Sequence, residues 1–87
     1  MTMSPIIKRI SVFQVPNGNY LICYDRYAFY IDRKGRRAEK NFKIEWEGNP
    51  TAFAYHHPYI IAFEHQFIEI RSIIDVSHTL SFSLSFF

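Results

Sequence analysis

Four histidines, one cysteine and a dense run of lysine and arginine are the residues here that could carry chemistry. His56, His57, His65 and His78 invite a zinc site, which needs three or four ligands converging in a tetrahedron, usually with cysteine or carboxylate help. His56 and His57 are adjacent in a turn-like stretch, so their side chains diverge on an extended chain. No metal site is expected. Cys23 has no neighbouring base or glycine-rich turn to stabilise a thiolate, and its apolar surroundings imply burial as a small core residue. Glu45 and Glu47 fall about 7 Å apart on one face of an alternating strand. They could form a dyad, yet the alternation marks that face as solvent-exposed. No glycine-rich phosphate loop is present. The expectation is no enzyme, no catalytic residue, no cofactor and no small-molecule substrate.

The basic run is the stronger candidate. Arg33, Lys34, Arg36, Arg37, Lys40 and Lys43 are six of the ten basic residues, gathered at and just after a hairpin tip. That density suits phosphoinositide head groups or an acidic protein surface. Asp32, Glu39 and Glu45 stand among them as partial neutralisers. No aromatic interleaves the charges on the hairpin, which argues against a base-stacking platform and hence against nucleic acid. The formal net charge of +2 points to no polyanion in particular. A protein partner is expected first and a membrane surface second.

The elements that would hold these residues read as strands throughout. Ile, Val, Phe, Tyr, Trp and Thr supply 34 of the 87 residues and Ala plus Leu only 8, which disfavours a helix bundle. The apolar fraction, 48%, also excludes intrinsic disorder. Ile10 to Val15 ends at the turn signal Pro16-Asn17-Gly18-Asn19. Tyr20 to Tyr24 is nearly all apolar, as a strand covered on both faces would be. Asp25-Arg26 is a tight break before Tyr27 to Ile31, and Asp32 to Arg36 forms a hairpin with Gly35 free to take a positive φ. Phe42 to Glu47 alternates as a half-exposed outer strand, with Trp46 on the covered side. Three further strands follow over Thr51 to Tyr55, Tyr59 to Phe63 and Phe67 to Arg71, parted by His56-His57-Pro58 and Glu64-His65-Gln66. Aromatics such as Phe53, Tyr55 and Phe67 are expected in the core or between packed sheets.

Sliding the chain by 39 residues lays Tyr20-Leu21-Ile22-Cys23-Tyr24-Asp25 over Tyr59-Ile60-Ile61-Ala62-Phe63-Glu64, and Ile31 over Ile70. Four strands in about 40 residues is the period of a β-propeller blade. The expected fold is all-β, about two four-stranded antiparallel blades of an incomplete propeller, over 10–46 and 51–87. Two blades cannot close a ring, so blade faces that a full propeller would bury are exposed at both ends.

The segment Ile44-Glu45-Trp46-Glu47-Gly48-Asn49-Pro50-Thr51-Ala52-Phe53-Ala54-Tyr55 makes the pattern recognisable. Together with Tyr20 to Asp25, Asp32 to Ala38, Pro58 to Glu64 and Phe67 to Arg71, it resembles the citron homology (CNH) domain. The variety it is most similar to lies near the C-terminus of fungal Rho-type guanine-nucleotide exchange factors. The resemblance covers 10–74 and implies a propeller-like, non-catalytic module for protein contacts in Rho-family GTPase signalling. Nothing resembles the helical exchange domain that catalyses nucleotide release in those factors. Residues 1–9 read as an extension, and 75–87 as a divergent tail able to supply the last strand of the second blade or to act as an aggregation-prone edge. The chain is expected to be a truncated product or gene-model fragment. With no signal-peptide pattern, one cysteine and no long apolar run, it is expected in the cytoplasm, at most peripheral at the plasma membrane.

Overall fold

The computed structural model describes residues 9–74 and 79–83. Nine strands form two antiparallel sheets, with no helix among the described residues. The first sheet holds β1 (Arg9–Gln14), β2 (Tyr20–Tyr24), β3 (Tyr27–Ile31), β4 (Arg37–Ala38) and β5 (Ile44–Glu45). The second is a plain meander of β6 (Ala52–His56), β7 (Tyr59–Phe63), β8 (Phe67–Ser72) and β9 (Thr79–Ser83).

The turns fall where their chemistry demands. Gly18 and Gly35 take φ of 91° and 79°, the left-handed region that costs glycine nothing. Asp32 Oδ1 accepts hydrogen bonds from the backbone N–H of Lys34 and Arg36, at 2.9 and 3.0 Å, and so shapes the hairpin between β3 and β4. The alternating stretch Phe42 to Glu47 differs from its expectation as one outer strand. Only Ile44–Glu45 pairs there, and Arg37–Ala38 pairs separately with the other end of β3. The cause lies between them. Glu39 turns to φ 46°, Phe42 N–H donates to the Glu39 carbonyl at 2.8 Å, and the ladder breaks before β5 resumes it.

The two sheets pack through one face each. Leu21, Cys23 and Ala28 from the first, and Ile60 and Ala62 from the second, have no exposed surface at all. Val15, Tyr30, Ile44 and Trp46 complete the cluster, with Phe13 tilted on Tyr55 and Trp46 on Phe53, at 5.7 and 5.2 Å between ring centroids. Each buried Leu or Ile removes enough apolar area to contribute roughly 1.5–3 kcal/mol. The opposite faces remain open: Val12 on the first sheet and Tyr59 and Phe63 on the second are 47%, 46% and 38% exposed.

Strand pairing corrects the 39-residue repeat. Cys23 pairs with Ala28 and Leu21 with Tyr30; Phe63 pairs with Ile68 and Ile61 with Ile70. The β2–β3 hairpin therefore maps on the β7–β8 hairpin at an offset of 40, and Ile70 corresponds to Tyr30 rather than Ile31. A slip of one residue exchanges the faces of a strand. At 39, Leu21 falls on Ile60, and these two look at each other across the core. At 40 it falls on Ile61, which points away from the first sheet. That is the relation a rotation between successive blades requires.

Candidate functional site

The structure divides the basic run in two. Arg33, Lys34 and Lys40 are exposed, with no side-chain acceptor among the described residues. Arg36 Nε lies 3.3 Å from Asp32 Oδ2, beside the hairpin that Asp32 shapes. Arg37 and Lys43 lie over the open face of the first sheet. The Arg37 guanidinium is 4.4 Å from the Phe29 ring centre and its Nη2 donates to the Phe42 carbonyl at 3.0 Å. Lys43 Nζ is 4.9 Å from the Tyr27 ring centre and 3.3 Å from Glu45 Oε1. Tyr24, Tyr27 and Phe29 pack on one another at 5.4 to 5.9 Å, so the aromatics missing from the hairpin arrive from β2 and β3. Of the three expected neutralisers, Asp32 serves Arg36 and Glu45 serves Lys43. Glu39 instead accepts from the side-chain amides of Asn17 and Asn19 at 3.4 and 3.3 Å.

A second polar constellation, which the sequence reading passed over, lies in the joint between the sheets. Glu69 on β8 is fully buried and Arg71 nearly so. Arg71 Nη2 donates to Glu69 Oε1 at 2.8 Å and to the Glu45 carbonyl at 3.0 Å. The Glu69 carboxylate also accepts from the backbone N–H of Glu47 at 3.1 Å and of Gly48 at 3.3 Å. One carboxylate and one guanidinium thus grip the connector that leaves β5, through charge-assisted bonds on both sides. Trp46, in that connector, donates Nε1–H to the Tyr24 carbonyl at 3.0 Å, and the Arg71 guanidinium stands 5.8 Å from its ring. Gly48 is required by space: a Cβ there would meet the Glu64 carboxylate and come within 2.6 Å of Phe67 Cζ. The sequence signal was present at the 40-residue offset. Glu69 and Arg71 fall where the first hairpin has Phe29 and Ile31.

The other candidates are placed as follows. Cys23 is buried, and burial pushes its thiol up to about 12. His57 Nδ1 lies 2.7 Å from the Tyr55 hydroxyl, His56 and His65 are exposed, and His78 lies outside the described residues. Among the described residues, no three of His, Cys, Asp and Glu gather closely enough to hold a metal ion. Glu45 and Glu47 both face solvent.

The family model described as CNH domain matches residues 3–82. This chain belongs to the CNH domain family. Its relatives include Rho1 guanine nucleotide exchange factor 1 of Schizosaccharomyces pombe, 43% identical over 67 residues, which are 77% of this chain and 5% of that protein. RHO1 GDP-GTP exchange protein 2 of Saccharomyces cerevisiae is 42% identical over the same share of each. Among solved structures, the AfRom2 CNH domain superposes with a TM-score of 0.79 at 42% identity, covering 90% of this chain and 26% of that one. The two sheets are therefore two adjacent blades of a CNH propeller. The CNH sequence spans about a twentieth of the curated relatives and about a quarter of the solved domain.

Proposed function

We propose that this CNH chain is a non-catalytic interaction module in Rho-family GTPase signalling, equivalent to part of the C-terminal region of a Rho guanine-nucleotide exchange factor. The carrying observation is the identity of 42–43% to fungal Rho1 exchange factors. The described residues support it, since their polar groups pin strands and connectors together rather than converging on a reactive atom. The partner is a Rho-family GTPase or a protein acting with one, met in the cytoplasm. The test is to immobilise the chain and expose it to a Rho1-type GTPase carrying fluorescent GDP. Retention with an unchanged rate of nucleotide release is expected. Accelerated release would overturn the non-catalytic assignment, and no retention in any nucleotide state would remove the GTPase as direct partner.

A second reading, peripheral binding to anionic lipid through the hairpin, is favoured by the three uncommitted cations. Replacing Arg33, Lys34 and Lys40 together by Ala should abolish sedimentation with phosphoinositide vesicles and leave circular dichroism unchanged. Arg37 is a poor target for that test, because its bond to the Phe42 carbonyl helps close the turn.

A further inference from the structure

The chain runs back and forth so that loops 15–19, 32–36 and 57–58, and the segment after β8, leave the same end of the two blades. Between the blades at that end opens a cavity of about 210 Å3, whose lining includes Val15, Tyr30, Glu39, His57, Ile73 and Ile74. Most of its wall is apolar: Val15 and Tyr30 are both 4% exposed, and Ile74 has 74% of its surface in solvent, while Asn17 and His57 add polar groups to the lining. Its one carboxylate is that of Glu39, the single non-glycine residue of positive φ among those described. Holding a glutamate in that region strains the backbone, and strain of this kind clusters at binding sites. The two amide bonds that hold the carboxylate are long and leave it exposed. Burial, then the charge of Glu39 and then Tyr55, raise the Tyr30 hydroxyl to about 12, so the acid's field reaches the cavity wall.

We propose that this cavity binds a lysine or arginine side chain presented by a partner protein, its methylenes against Val15, Tyr30 and Ile73 and its cation on the Glu39 carboxylate. An exposed ion pair alone changes affinity by about fivefold at most. The apolar wall is what makes a long basic side chain, rather than a small cation, the matching ligand. The occupant is defined by its chemistry, and the site does not depend on the GTPase being the partner.

The test is a titration of the isotope-labelled 87-residue chain with Nα-acetyl-lysine N-methylamide, followed by amide resonances in NMR. The expected result is a saturable shift centred on Val15, Asn17, Tyr30, Glu39 and Ile73, which line the cavity. The uncharged norleucine analogue should bind about two- to fivefold more weakly. Glu39→Gln and Glu39→Gly should each weaken the lysine probe about two- to fivefold, whereas Lys40→Ala should not. Glycine takes φ 46° without strain, which offsets the loss of the two exposed bonds from Asn17 and Asn19, so Glu39→Gly should stay folded while binding the probe more weakly. Equal binding of the norleucine analogue, undiminished binding in both Glu39 variants, or no saturable shift at these residues would each overturn the proposal. If Glu39→Gly melted lower, Glu39→Gln would still decide the binding claim.

Discussion

Replacing Arg71 by Met would leave the Glu69 carboxylate fully buried with only the backbone N–H groups of Glu47 and Gly48 to balance it. Removing one partner of a buried ion pair costs about 3–5 kcal/mol, because the remaining charge cannot return to water. A chain of 87 residues has in total roughly 4–13 kcal/mol of folding stability. The single change should therefore remove about a quarter of it or more. The double variant Glu69→Gln/Arg71→Met should be milder. The glutamine introduced there still accepts from the connector amides, and the residual loss is the bond to the Glu45 carbonyl, about 1 kcal/mol. The double variant should thus be more stable than the single one by about 2 kcal/mol or more. Urea unfolding reads this directly. Trp46, the one tryptophan, sits in the joint beneath Arg71 and reports its opening by fluorescence. With a slope of about 1–2 kcal/mol per molar, the single variant's midpoint should fall by about 1.5 M or more. An osmolyte such as trimethylamine N-oxide keeps its transition in range if the parent is marginal. A single variant as stable as the double one would refute the view that Glu69 depends on Arg71.

Gly48→Ala should destabilise the chain by about 1–3 kcal/mol in the same assay, since the added carbon lands on Phe67 and Glu64 with little room for relief. The Cys23 thiol, buried and raised to about 12, should resist a disulfide reagent at pH 8 in the folded state and react at a rate that follows urea-induced unfolding. Asp32 is held below its ordinary value, first by the Arg36 backbone N–H and further by the Lys34 N–H and the Arg36 charge. Its contribution to hairpin order is full above the unfolded-state pKa and is lost as pH falls through the depressed folded value. Carboxyl carbon NMR should therefore place its midpoint below 3.8, and Asp32→Asn should remove the acid-side loosening of 32–36.

What was legible in the sequence was local. Pro16-Asn17-Gly18-Asn19, Asp25-Arg26 and Gly35 announced their turns because turn chemistry sits within a few residues. The outer strand over Phe42 to Glu47 misled, because alternation fixes which side a residue faces but not whether the backbone stays paired, and Glu39 broke the pairing. The repeat was off by one for a related reason. Tyr20 to Tyr24 and Tyr59 to Phe63 are apolar at nearly every position, so the two-residue period that would report a face is absent from them. Glu69 and Arg71 escaped notice because charges default outward, and most of their partners are backbone groups of the connector, invisible to any pattern of side chains. The basic run was visible as density. Its division was not, since the rings that take Arg37 and Lys43 belong to β3.

The clamp across the joint also orders events in time. Each hairpin closes over a turn of a few residues, whereas Arg71 reaches back 26 residues to the Glu45 carbonyl and Glu69 reaches back 22 to the Glu47 N–H. Non-local contacts incur their loop-closure entropy before they return any energy, so they form after the local ones. The connector is held to the first sheet early, through Trp46 and the carbonyls of Tyr24 and Arg26, but its bonds to Glu69 and Arg71 must wait until the second meander has assembled and swung β8 against it. The clamp therefore sets after the hairpins, and a nascent chain stalled before Arg71 would have strands and part of the apolar joint but no clamp.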